Sequence, residues 1–322
     1  MKAAVVYKKG ELPQYTDFPD PIVENENQVL IAVKAAAVKN LDKNIASGKH
    51  YSVDEKETAK VAGGDGVGLL EDGTRVYALG VTGMIAEKAI IDKNKMVKVP
   101  EGLDDCTAAA LPNAVAGSAM ALRFRADIQK GETVLINGAT GVTGKIAIQL
   151  ARHYGAKRII VTGRNEEALK TLLNLGADEY VVLTQPEKDF IAQIKKIHSN
   201  TPIDIIIDYL WGSSAELILK SLKGDGSFTP KTRFVSVGSL SGDTIQLSSE
   251  ILRSVDLKLS GSGFGSWTKK EMMQLITEIL PEMFELALSE KLVIETVSIA
   301  LKDIEKAWDM TVPDGKRLVI TI

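Results

Sequence analysis

The spacing of apolar positions changes character along this chain. Up to about residue 100 they come in short runs or alternate in twos, as in 2–7 (KAAVVY) and 28–37 (QVLIAVKAAA), which predict strands. A Pro/Asp-rich loop at 17–21 separates the two, and 40–48 (NLDKNIASG) predicts a short helix ending at Gly48. Residues 50–60 are polar and predict a surface loop. The glycine-dense stretch 63–68 (GGDGVG) predicts a strand that other backbones pass closely. Turn-bounded strands follow at 75–79 and 87–91, so the N-terminal part reads as a mainly β domain.

From Asp104 the spacing turns helical, with Ala108, Leu111 and Val115 on one face. A break at Pro112-Asn113 is expected to mark the crossing into a second domain. Beyond it, β-branched runs at 133–137, 158–162, 179–183, 203–208, 233–238 and 256–260 alternate with helical patterns. Six strands in that rhythm predict a complete doubly wound parallel sheet. Residues 270–289 predict a long helix, its apolar side carrying Met272, Met273, Leu275, Ile276, Ile279, Leu280, Met283 and Phe284. A strand (292–299), a helix (301–308) and a strand (317–322) close the chain. They would spoil the symmetry of the parallel sheet and are expected to rejoin the N-terminal β domain. The fold class is therefore α/β, with domains at 1–113 plus 270–322 and at 114–269.

The chemistry concentrates at 133–164. An apolar strand runs into Gly138, Gly141 and Gly144, then an amphipathic segment, then a second strand. In such a unit one glycine frees the turn, a second lets the backbone approach a pyrophosphate, and a third lets the helix sit on the sheet. The helix start adds unpaired N–H groups and partial positive charge. The turn Gly138-Ala139-Thr140-Gly141-Val142-Thr143-Gly144 is thus the candidate dinucleotide site. An ATP-binding phosphate loop would use Lys145, but Ile146 stands where its Ser or Thr must hold magnesium. A short-chain reductase would need a tyrosine four residues before a lysine, and none of the seven tyrosines has one.

After the second strand, Gly163-Arg164-Asn165 offers a small residue and a guanidinium where an NAD site would have a carboxylate. That favours NADP(H), with Arg164 pairing the 2′-phosphate. Asn165 can at the same time cap the next helix. Gly238-Ser239 and Ser262-Gly263-Phe264 follow the fifth and sixth strands, where backbone groups can hold the nicotinamide carboxamide. Asn113 and Ser118, at the crossing, are expected near the same end.

Composition narrows the partners. The 322 residues carry a formal net charge of −3, with 45% hydrophobic and 25% charged residues, which gives no basic footprint for nucleic acid. A single cysteine, Cys106, and three histidines leave no disulfide framework and no Cys/His metal site. No stretch is long and apolar enough for a bilayer, and Met1 leads straight into a strand pattern, so a cytoplasmic protein is expected.

Several segments together resemble the medium-chain dehydrogenase/reductase superfamily, and within it the zinc-free quinone oxidoreductase branch. They are the opening MKA strand, KAAAVKNLDKNIASG (34–48), GGDGVG (63–68), TAAALPNA (107–114), GETVLINGATGVTG (131–144), LGAD (175–178) and GKRLVITI (315–322). The resemblance covers nearly the whole chain in order. It implies a GroES-like catalytic domain built from both chain ends, a Rossmann domain between them, a cleft, NADP(H) as cofactor and a homodimer. Zinc-using relatives carry a cysteine near Lys39 and a histidine at the position of Gly64, so no metal is expected here. Without a Lewis acid, conjugate hydride transfer to a quinone or enone is easier than ketone reduction. Asn40 and Asp42 resemble, with a one-residue shift, the Asn-x-x-Asp loop beside the nicotinamide, and Tyr51 stands where the family often has a site tyrosine. Asp42 reads equally well as a carboxylate satisfying backbone donors at a helix start. Departures are Ala168 and Leu183, where many relatives have a lysine and a tyrosine, and Ile85, where they have an aromatic. Two other classes remain: a low-turnover NADPH-binding structural or regulatory protein, and an alcohol dehydrogenase.

Overall fold

A computed structural model describes residues 1–48, 59–313 and 315–322. The chain divides into two compact units, Met1–Pro112 with Gln274–Ile322, and Asn113–Met273.

The first unit is built from strands β1 (Lys2–Val6), β2 (Gln14–Asp17), β3 (Gln28–Val38), β4 (Lys60–Val61), β5 (Asp65–Leu69), β6 (Arg75–Gly80) and β7 (Lys88–Lys98). A short helix, α1 (Asn40–Ala46), follows β3. β5, β6 and β7 form antiparallel ladders, and β3 pairs with both β5 and β7, so this part of the sheet closes on itself. Closure removes the unpaired edges that an open sheet would leave. β1, β2 and β4 form a separate small sheet. Inside the closed sheet pack Ile31, Val33, Val76, Ala78, Met84, Ile85 and Ile91, with Trp308 from the chain's end. β2 has too few apolar residues to stand out in sequence, and two of its four residues, Gln14 and Asp17, are polar and exposed.

The second unit holds β8 (Thr133–Asn137), β9 (Arg158–Gly163), β10 (Glu179–Val182), β11 (Ile205–Asp208), β12 (Thr232–Ser236) and β13 (Leu257–Gly261). Their order is β10-β9-β8-β11-β12-β13, every pair parallel. The direction of winding reverses between β8 and β11, the position where such sheets open a crevice for a ligand. Around it run α2 (Asp105–Met120, entering from the first unit's segment), α3 (Val142–His153), α4 (Glu166–Asn174), α5 (Glu187–Asn200), α6 (Gly212–Ser221), α7 (Ser249–Ser254) and α8 (Lys269–Gln274). All of β8 is buried, as expected of a strand covered on both faces. Leu135, Ile160, Ile206 and Phe234 of the sheet pack with Phe190, Ile194, Ile218 and Leu219 of the helices.

The tail returns as expected: β14 (Glu295–Ala300) lies beside β15 (Lys316–Thr321), and β15 pairs antiparallel with β3. α9 (Leu280–Leu288) and α10 (Ile304–Trp308) accompany them. Two helices differ from the sequence reading. α2 runs unbroken through Pro112. Proline already has a helical φ, and the burial of Ala108 to Leu111, Ala114 and Val115 outweighs one lost hydrogen bond. The helix expected at 270–289 is interrupted by a π turn, Leu275–Ile279, just before Pro281, whose missing N–H loosens the preceding turn.

Candidate functional site

Because all six strands of the second unit are parallel, their carboxyl ends share one edge of the sheet. That edge carries Gly138–Gly144, Gly163–Asn165, Gly238–Ser239 and Ser262–Phe264 together. Gly138 has φ +85°, and a Cβ there would lie 2.8 Å from the Leu210 side chain, so only glycine fits. A Cβ at Gly144 would lie 2.5 Å from the Ala139 backbone, which makes it the residue that seats α3 against the turn. Gly141 is the opposite case: it is exposed, and nothing lies within 4 Å of where its Cβ would be. It is the N-cap of α3 and brings no capping side chain. The first α3 bond runs from Lys145 N to Gly141 O, so the N–H groups of Val142, Thr143 and Gly144 lack acceptors within the helix. An open glycine below uncapped N–H groups is a cradle for a phosphate-sized anion.

Other side chains frame this cradle. Gly163 approaches Thr140, where a Cβ would meet the threonine methyl at 2.9 Å. Arg164 is exposed and makes no hydrogen bond or ion pair among the described residues. Asn165 caps α4 by accepting from Ala168 N at 3.2 Å. Ser118 is fully engaged: its hydroxyl donates to Thr143 O (3.1 Å) and meets the Tyr209 hydroxyl at 3.0 Å. Burial holds that tyrosine's pKa well above the usual phenol range. Gly238 passes the Tyr209 carbonyl closely, since a Cβ would come within 2.8 Å of it. Ser239, Gly263 and Phe264 are exposed, whereas Ser262 is buried and accepts from Trp267 Nε1 at 3.1 Å.

Beneath the turn lies a buried polar network with no signal in the sequence reading. Asn137 Nδ2 donates to Asp208 Oδ1 (2.7 Å) and Ser214 Oγ (2.9 Å), while Thr162 Oγ1 donates to Asn137 Oδ1 (2.6 Å). Asp208 also accepts the N–H groups of Leu210 and Trp211. Burial raises the Asp208 pKa, and those three donors oppose the rise.

The first unit carries its own cluster. Lys39, Asp42, Asp65 and Tyr77 are each 5% exposed or less. The Lys39 ammonium donates to Ala37 O (2.9 Å), contacts Asp42 at 2.9 Å and bonds Asp65. Asp42 further accepts the N–H groups of Lys39 (2.8 Å) and Gly64 (3.0 Å), and Tyr77 donates to Asp65 at 2.6 Å. Burial works to lower the Lys39 pKa, but Asp42 and Asp65 together outweigh it and leave it raised. Arg317, also buried, faces both carboxylates electrostatically, and its pKa is lowered by burial. Its Nε has no partner among the described residues.

Of the catalytic candidates, Asp42 joins this cluster and Asn40 stands exposed at the start of α1. Tyr51 lies outside the described residues. Ile85 is fully buried in the closed sheet, where Gly63 leaves it room. Among the described residues no three His, Cys, Asp or Glu side chains group closely enough to hold a metal ion. No helix among them is long and apolar enough to cross a membrane.

Residues 142–280 match the zinc-binding dehydrogenase family. The human quinone oxidoreductase is 32% identical over 85% of this chain and 83% of its own length. A probable NADPH-dependent quinone reductase of Emericella nidulans is 25% identical over 96% of each chain. Among solved structures, the quinone oxidoreductase of Escherichia coli, complexed with NADPH, superposes with a TM-score of 0.83 over all of both chains at 20% identity.

Proposed function

The chain belongs to the medium-chain dehydrogenase/reductase superfamily, in its quinone oxidoreductase-like branch, and on that premise we propose that it is an NADPH-dependent, zinc-independent reductase of quinones or α,β-unsaturated carbonyl compounds. The observation that carries the reading is the open Gly141 below the uncapped start of α3, with Arg164, which has no partner among the described residues, at the end of the neighbouring strand β9. These residues fit a phosphorylated dinucleotide. The N–H groups of Val142 to Gly144 would hold its pyrophosphate, and Arg164 its 2′-phosphate. Backbone groups at Gly238-Ser239 and Ser262-Gly263-Phe264 would hold the carboxamide end. NADPH, when bound, supplies the hydride.

Zinc independence draws support from Lys39. Its ammonium already lies between Asp42 and Asp65, so a divalent cation would have to displace a buried, paired charge. Asp42, with three donors on its carboxylate, positions α1 and the Gly64 backbone. Asn40 is proposed to orient the acceptor, with Tyr51 or water supplying the proton. The mutual saturation of Lys39, Asp42, Asp65 and Tyr77 also favours a second reading, an NADPH-binding protein of low turnover. We further take the protein to be a cytoplasmic homodimer; light scattering tests the dimer, and cell fractionation tests the compartment.

The deciding experiment follows NADPH oxidation with quinones, enones, enals and simple aldehydes, alongside metal analysis of the purified protein. Turnover of quinones or enones without bound zinc is expected. Binding without turnover of any acceptor would favour the second reading, and stoichiometric zinc would overturn the metal-free chemistry.

A further inference from the structure

Resting on the nucleotide-binding reading above, we propose that Asp208 is a positioning residue for the phosphate turn. Acting through Asn137 and through the backbone at Leu210 and Trp211, it holds Gly138 in the shape that nucleotide binding requires.

Asn137 and Asp208 end β8 and β11, Thr162 is next to last in β9, and the three lie side by side across the ladder, Asn137 opposite both of the others. All three are completely buried. Polar side chains in such a place cost folding energy unless fully bonded, so their arrangement calls for a use. Asn137 makes the network directional. Its oxygen takes the Thr162 hydroxyl and its nitrogen gives to Asp208 and Ser214.

Two arms lead from this network to Gly138. On one side, Thr162 meets the Gly138 N–H with both its carbonyl (3.2 Å) and its hydroxyl (3.3 Å). On the other, Asp208 accepts from Leu210 N (3.1 Å) and Trp211 N (3.1 Å to Oδ2). That second arm is under strain. Trp211 has φ +55° and ψ −155°, a conformation that costs a non-glycine residue on the order of 1–3 kcal/mol. Its edge-to-face ring contact with Phe234, at 6.1 Å between centroids, helps to hold it. The same bend puts the Leu210 side chain against Gly138, within 2.8 Å of the missing Cβ. Gly138 is therefore clamped between Leu210 and Thr162, and Asp208 and Asn137 tie the two jaws together.

The test exploits that directionality. In Asp208→Asn, an amide must satisfy one donor from Asn137 and two backbone donors with a single oxygen. One bond is lost whichever way the amide turns. The dissociation constant for NADPH, from fluorescence titration, is expected to rise ~10-fold or more. Asn137→Ala removes the same link from its other end, and the double variant Asn137→Ala with Asp208→Asn tests whether the two residues act through it. If both act through that link, the double variant binds NADPH about as weakly as the weaker single variant, not with the product of the two losses. If Asp208→Asn does not fold, Thr162→Val, which removes the hydroxyl that meets both Asn137 and the Gly138 N–H, decides by the same titration, weakened NADPH binding being expected. Tight binding by Asp208→Asn, or in its place by Thr162→Val, or fully additive losses in the double variant, would overturn the proposal while wild type still binds. Wild-type protein with no affinity for NADPH would overturn the nucleotide reading itself, and this proposal with it.

Discussion

At the scale of single residues, two glycines of one turn make opposite demands. Gly144 has backbone atoms of Ala139 where a Cβ would go, and backbone cannot step aside. Gly144→Ala is expected to lower stability by about 2 kcal/mol or more, read from urea unfolding without nucleotide. Gly141 has an ordinary φ of −76° and empty space around it. Gly141→Ala should leave the melting temperature unchanged yet weaken NADPH ~10-fold, because its methyl group would stand where the pyrophosphate approaches. Equal loss of stability in both variants would contradict the cradle. Arg164 is separable in another way, since it has no partner among the described residues to lose. Arg164→Ala should raise KM for NADPH by ~10-fold and leave KM for NADH nearly alone. An equal rise for both would remove its phosphate role. All three residues were visible in the sequence, because a strand–turn–helix unit is local and its glycines are fixed by the turn itself.

At the scale of elements, ion pairs tie segments that sequence does not connect. Arg125, just after α2, forms a two-pronged bond with Glu271 of α8, at 3.0 and 2.8 Å. The Arg125 guanidinium holds the Glu271 carboxyl at about 2, against an ordinary 4.5. The native carboxylate is thus favoured. Its stabilisation is fully present above pH 4.5 and is lost as pH falls toward 2. Glu271→Gln should cost about 2 kcal/mol at pH 7, less than the full shift because water reaches both side chains. The gap between wild type and variant, from urea midpoints, should narrow steadily from pH 5 to pH 3. A gap independent of pH would exclude the pair as its source. Lys39 makes a stronger case, since β3, α1, β5, β6 and β15 all send groups to its buried cluster. Lys39→Met strands two buried carboxylates and should destabilise by about 3 kcal/mol or more. Full stability in this variant, by the same unfolding measurement, would show that the carboxylates do not need the ammonium. This cluster was only half legible. Lys39 and Asp42 stood out as polar residues in family-like positions, but Tyr77 and Arg317 reach them through sheet pairings that no local pattern reveals.

For the whole molecule, what could be read in advance follows from how far apart the determining contacts lie. The parallel sheet was legible because strands covered on both faces are apolar runs, and the turns between them are set by neighbours. The tail's return to the β unit could be argued from symmetry. By contrast, the helix through Pro112 and the network at Asn137, Thr162 and Asp208 depend on packing between segments distant in sequence. Nucleotide binding should then register as a property of the entire fold. If NADPH binds only the native chain, a concentration 100 times its dissociation constant stabilises by about 2.7 kcal/mol. For 322 residues melting as one unit that corresponds to a rise of about 4 °C in melting temperature. The rise should be kept in Lys39→Met, whose cluster lies in the β unit, and shrink in Arg164→Ala. NADH should give the same small shift in wild type and in Arg164→Ala, because it has no 2′-phosphate for the guanidinium to meet. Thermal melts of the three proteins with each nucleotide check this. A loss of the NADPH shift in Lys39→Met with retention in Arg164→Ala would move the binding determinants out of the parallel sheet.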